Sequence, residues 1–248
     1  MLGINPFRKN INLDEGYTEL NPERILDTLR KLHFRIGERF PESGLKKVCG
    51  EFQVLVEDCI ILTRRLAQPL WPVRILAFIA SGALICLTVS VFYMVYQKSV
   101  AGIDKLADAI QTLESGINET IFLSVALFFL VSLEIRVKRH FALKALHKLR
   151  SIAHVVDMHQ LTKDPAYILH RPKPTKSSPE RKLSRNDLIR YLDYCSEILS
   201  INSKTAALFV QNLHDPVILT AVDELDNLTQ GLSSKIWQKI MILDLSER

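Results

Sequence analysis

Apolar positions recur at steps of three and four along most of this chain, and in two stretches the polar positions nearly vanish. Over residues 73–96 the one charge is Arg74, at the edge. A helix rises about 1.5 Å per residue, so roughly 20 residues cross a hydrocarbon core of about 30 Å. This stretch is long enough. Trp71 ahead of it, with Tyr93 and Tyr96 at its far end, suits anchoring at two interfaces, and Pro69 and Pro72 can break the chain before it enters. The second stretch is weaker. Residues 120–133 carry no charge, and the run then meets Glu134. Counted over 117–137 it reaches spanning length. Alone it also fits a buried soluble helix; after a strong first span, insertion as a hairpin is expected. Glu134 can face Lys138 one turn on, as a salt bridge at the membrane edge, with a proton- or ion-handling carboxylate as the alternative.

Amphipathic helices are expected on both sides. Asn21-Pro22 reads as an N-cap with proline at the first helical position. Ile25, Leu29, Leu32, Ile36 and Phe40 then share one face, and Lys31, Arg35 and Arg39 another. That basic face suits either anionic lipid or the solvated side of a bundle helix. A second helix is expected from about Ser43 to Ala67. After the second apolar stretch the helical period continues toward Leu161. A proline-rich basic segment over 171–183 reads as a linker. Beyond it, Ser184 or Asn186 can cap a helix with a seam at Leu192, Leu199, Asn202 and Phe209. Asp215-Pro216 starts another, with Leu225, Leu232 and Ile236. The tight connection predicts an antiparallel hairpin, in which Asn202 fixes register and Gly231 kinks the second arm. Asp223, Glu224 and Asp226 near the start of that arm, and Lys235 and Lys239 near its end, read as complements of the helix dipole.

Charge sets the topology. Lys46, Lys47, Arg64 and Arg65 precede the first span, and Arg136, Lys138, Arg139, Lys144, Lys148 and Arg150 follow the second. The stretch between holds Lys98 and Lys105 against Asp104, Asp108, Glu114 and Glu119. Positive flanks stay inside, so both termini are expected in the cytosol and residues 97–119 outside. In that outer stretch Ile103, Leu106, Ile110, Leu113 and Ile117 form two heptads, which either pair above the membrane or lie on its outer leaflet. Asn118-Glu119-Thr120 matches a glycosylation sequon beside the bilayer.

The whole chain of 248 residues has a formal charge of +5, few glycines and prolines, and four cysteines with no metal or disulfide spacing. Phosphate loops, zinc-protease motifs, nucleophile elbows, kinase signatures and basic-aromatic nucleic-acid patches are all missing from the sequence. His140, His147 and His154 line one helical stripe but stand roughly 10 Å apart, too far to share a metal within one chain; they read as solvated histidines, with pH-responsive rings in an oligomer as the alternative. His154, Asp157 and His159 are the densest set of potential ligands, and the one catalytic candidate.

The fold class expected is therefore an all-α membrane protein, a two-helix transmembrane hairpin with a cytosolic helical bundle or coiled-coil hairpin. Its divisions are 1–72 cytosolic helices, 73–96 first span, 97–119 external helical loop, 120–137 second span, 138–170 cytosolic continuation, 171–183 linker and 184–248 helical hairpin. It is expected to be multi-pass, the bacterial inner membrane favoured. Trp71, Arg136, Lys138 and Arg139 are candidates for lipid contact. The partners expected are the bilayer, with anionic lipid at the basic flank, and a second copy or another helical protein. No cofactor, metal or nucleic acid is expected. A non-enzymatic scaffold or adaptor is the leading role. The alternatives are an oligomeric pore, for which Ser81, Gly82, Ser90, Ser124 and Ser132 offer small or polar positions, and a membrane-anchored enzyme using the histidine tract.

Overall fold

The computed structural model describes residues 18–100, 106–165, 175–177 and 183–245. Among them the fold is all-helical, without strands. Six helices follow in order: α1 (Pro22–Arg39), α2 (Gly44–Ala67), α3 (Trp71–Val100), α4 (Leu106–Leu161), α5 (Arg185–Asn212) and α6 (Pro216–Leu245). They belong to two compact units, one of Met1–Thr63 with Ala145–Arg248, the other of Arg64–Lys144.

The helix starts of the first unit are set by side chains that accept otherwise unpaired backbone N–H groups. Asn21 Oδ1 accepts from Glu23 and Arg24 at 2.9 and 3.3 Å. Ser184 Oγ accepts from the Asp187 N–H at 3.1 Å and donates to the Asp187 carboxylate at 2.7 Å, a reciprocal cap that leaves Asn186 out. Asp215 Oδ1 accepts from Val217 and Ile218 at 2.9 and 3.3 Å. α5 and α6 pack along each other, and α1 packs on α5. All seven seam positions read from the sequence are buried: Leu192, Leu199, Asn202 and Phe209 on α5, Leu225, Leu232 and Ile236 on α6.

α5 buries far more than a seam. Tyr191, Ile198, Ile201 and Leu208, off the heptad line, are buried as well, so α5 is the central helix of the unit rather than one arm of a two-helix zipper. The α1 side explains part of this. Phe40 meets the rings of Tyr191 and Tyr194 edge-on at 5.5 and 6.2 Å. The basic face of α1 stays exposed, as expected of the solvated side of a bundle helix, and its cations are held in ion pairs. Arg35 pairs with Glu197 and Arg39 with Asp187 (3.2 Å), both on α5, while Lys31 closes on Asp27 one turn back.

Asn202 departs from its expected role. Its Nδ2 donates to the Leu149 carbonyl on α4 at 2.9 Å, while Oδ1 is buried without a hydrogen-bond partner. The amide therefore ties α5 to α4 and does not set the α5–α6 register. Asn202→Leu is expected to be close to neutral, because it removes both an internal bond and an orphaned oxygen of similar cost. Asn202→Asp places an anion in the same buried space and is expected to cost at least about 3 kcal/mol. Urea unfolding of the two variants in detergent checks the order; equal losses would refute it.

The dipole reading of α6 also changes. Its first and last turns contain no acid and no base respectively. Asp223, Glu224 and Asp226 begin too far in for a term that fades within one turn. Two of the three make specific contacts: Glu224 takes Arg150 of α4 at 2.8 Å, and Asp226 takes the Ser203 hydroxyl of α5. α6 runs through Gly231 without interruption.

In the second unit α3 and α4 contain the two apolar stretches, and each is long and apolar enough to cross a membrane. α4 is continuous from Leu106, so the stretch read as an outer loop joins the apolar helix directly. No proline interrupts it, and a lone Gly116 costs only about 1 kcal/mol. Of the outer heptad positions, Ile103 lies outside the described residues. Most of the linker 171–183 does too.

Candidate functional site

The residues with the most chemistry in the second unit meet around one carboxylate. Glu134 sits at the end of the apolar stretch of α4, with a side chain only 13% exposed. Its Oε2 accepts from Arg74 Nε of α3 at 2.8 Å. Its Oε1 pairs with Lys138 Nζ at 3.0 Å and accepts from the Leu70 backbone N–H at 3.2 Å. Leu70 immediately precedes α3, where Pro69 and Pro72 leave few N–H groups to pair otherwise. One carboxylate thus receives three donors: the Leu70 N–H just before α3, Arg74 in its first turn and Lys138 of its own helix. The expected Glu134–Lys138 contact is present. Arg74 and the Leu70 N–H were not anticipated, although the signal existed: Arg74 is the one charge in the first apolar stretch, and antiparallel spans bring its end beside the end that carries Glu134.

Lys138, a lipid-contact candidate, turns inward to this clamp and is 14% exposed. Trp71 is exposed, and Arg136 is exposed with its guanidinium 4.9 Å over the Phe129 ring. Arg139 is half-buried. Among the cations after the second stretch, Lys138 is held by Glu134 and Arg150 by Glu224.

Hydroxyls along the apolar helices bond to their own backbones. Ser81 donates to the Ala77 carbonyl at 2.6 Å, Ser90 to Cys86 at 2.7 Å, Ser124 to Thr120 at 2.8 Å and Ser132 to Phe129 at 2.9 Å. These serines need neither water nor a neighbouring helix to satisfy their donors.

The histidine tract lies at the end of α4 in the first unit. His140, His147 and His154 are all exposed, as their common stripe predicts. Asp157 Oδ1 accepts from Gln160 Nε2 at 2.6 Å, and Gln160, nearly fully buried, accepts Lys239 Nζ of α6 on both its side-chain and backbone oxygens. Lys239 thus places a cation on the carbonyl end of α4, where the helix dipole favours it. Gln160 and Lys239 were not read as partners because they lie far apart in the chain. Among the described residues no group of three or more His, Cys, Asp or Glu side chains is placed to hold a metal. The buried thiols of Cys49, Cys59 and Cys195 are pushed up to about 12 by burial, which suits packing rather than reactivity.

His159 packs on the first residue of α2. A side chain at Gly44 would run into the His159 ring, within 3.2 Å of Nδ1, so the close approach requires glycine. Burial, reinforced by the Lys163 ammonium, holds the imidazole below its ordinary 6.5. Above 6.5 the ring is neutral folded and unfolded, and its packing is fully kept. As pH falls through 6.5 the unfolded chain takes up the proton first, so stability is lost down to the lower folded value. Between about pH 7.5 and about pH 5.5 the urea midpoint is expected to fall more for the native protein than for His159→Phe. Equal falls would refute this.

Compared with protein-family models, curated proteins and solved structures, this chain matches none.

Proposed function

We propose that this protein is a non-enzymatic membrane scaffold: a two-helix transmembrane hairpin, both termini cytosolic, whose first unit binds a second copy or a helical partner. The observation that carries the membrane part is apolar exposure. Phe78 and Phe122 are 77% exposed, Phe128 72% and Phe92 66%, on helices whose hydroxyls are satisfied internally. In water such a surface is far larger than the apolar patches soluble monomers tolerate, and in hydrocarbon it is the favoured state. The uneven Lys/Arg distribution supports the orientation, and exposed Trp71 and Arg136 are the residues offered to lipid headgroups. The Glu134 clamp supports the hairpin, because it joins the start of α3 to the end of the apolar part of α4 and keeps both charges from facing lipid unpaired. The binding role is supported by the apolar residues that the first unit leaves exposed on α6.

The test has two parts. Alkaline extraction of membranes should leave the protein with the lipid. A reporter at residue 110 should be shielded from the cytosol while reporters at both termini are accessible. Release into the supernatant, or a cytosolic residue 110, would refute the reading.

A further inference from the structure

We infer that the exposed face of α4 just past its apolar stretch, Arg136, His140 and Lys144, holds an anionic lipid headgroup at the cytosolic leaflet and tightens that hold as the pH falls. The inference rests on the membrane reading and names the lipid class and its regulation. The three residues stand at steps of four on one continuous helix, and all three are exposed. Unlike Lys138, none of them is drawn into an ion pair among the described residues. The Arg136 guanidinium lies 4.9 Å over the ring of Phe129, itself exposed on the apolar stretch, so this cation stands where hydrocarbon gives way to headgroups. His140, one turn on, meets the Phe141 ring edge-on at 5.7 Å.

Charge and depth select the occupant. No acid occurs between Asp58 and the end of α3, and none on α4 between Glu134 and Asp157. The charged groups of the last turn of α2 and the first turn of α3 are therefore cations, Arg64, Arg65 and Arg74, and Glu134 is taken by Arg74 and Lys138. Glu224 of α6 meets α4 at Arg150, ten residues on from His140. Arg136 to Lys144 spans about 12 Å of helix rise, against a polar layer of about 5–8 Å on each side of the hydrocarbon, so the face begins at the depth of lipid phosphates. Histidine is the side chain whose charge changes between about pH 5 and pH 8, and an anion beside it favours the charged form. One added cation near an anionic leaflet raises affinity about fivefold. The reach is short, because the field fades over about 8 Å at physiological salt. His154 shares the stripe and is exposed, but lies about 21 Å further along α4, beyond that reach.

The experiment titrates the full chain in neutral detergent with phosphatidylglycerol carrying a fluorescent acyl chain, read as anisotropy. Phosphatidylcholine with the same label is the control. The phosphatidylglycerol phosphate keeps its single charge across the range used. The native chain should bind phosphatidylglycerol about fivefold tighter at about pH 5.5 than at about pH 7.5, and phosphatidylcholine equally at both. His140→Gln should abolish the difference, while His154→Gln keeps it. Arg136→Gln and Lys144→Gln should each weaken binding about fivefold at both pH values. A native chain that binds the two lipids alike overturns the inference, and so does a His140→Gln chain that keeps the full pH response. Equal loss of response in His140→Gln and His154→Gln also overturns it, because the response then belongs to the whole stripe. If any of these occurs while the protein resists alkaline extraction, the membrane reading stands without this site. Release of the protein by alkali removes both.

Discussion

Phe209→Ala should cost the first unit about 3–5 kcal/mol, the largest loss expected from any single truncation in the chain. The side chain is fully buried on α5, and so are Asn202, Thr205, Ala206 and Leu208 around it. A central helix packed on several sides cannot close the space an absent ring leaves, so both the transfer term and the cavity term apply in full. The matched control is Phe128→Ala on α4, a ring of the same size that is 72% exposed. Its removal should leave the unfolding midpoint of the first unit unchanged. Urea unfolding in mild detergent, followed by loss of helical signal, reads both. A loss below about 1 kcal/mol at Phe209 would mean that α5 is not central to the core.

Glu134→Ala should loosen the second unit by about 1–3 kcal/mol, because it strands two cations and a backbone N–H together. The figure is kept low because the Arg74 side chain is 51% exposed and solvent screens part of its pairing. Glu134→Gln should recover part of the loss: an amide oxygen can still accept from Leu70 or Arg74, but the ion pairs are gone. The decisive measurement is a double-mutant cycle with Arg74→Ala, read as thermal unfolding in detergent. A coupling of about 1 kcal/mol or more is expected; one near zero would show that the two charges act separately. Because α3 and α4 expose most of their apolar side chains, a polar link between them has few competing contacts to hide behind.

Both variants bear on how the fold can be read. The helices of this chain were legible because their periods, caps and prolines are local: Asn21-Pro22, Ser184 and Asp215-Pro216 start helices where their side chains meet the next N–H groups. The seven seam residues were legible for the same reason, since a step of three and four needs no knowledge of what covers it. The second buried face of α5 was not legible, because one heptad seam accounts for an amphipathic helix and the apolar Tyr191, Ile198, Ile201 and Leu208 lie off it. Of the site, the Glu134–Lys138 contact was visible at one turn's spacing, whereas Arg74 lies 60 residues away in the chain.

The amino-acid order alone determined that this protein is helical, where most of its helices begin, and that two of them are apolar over membrane-spanning length. Each of these depends on neighbours within a few positions or on summed hydropathy. The tertiary structure decided the partners. Arg35 and Arg39 meet carboxylates on α5, Asn202 reaches α4 instead of α6, Lys239 closes the end of α4, and Glu134 gathers donors from the start of α3. Polar side chains of one charge look alike along a chain, and only the three-dimensional packing selects which of the many possible counterparts comes within 3 or 4 Å.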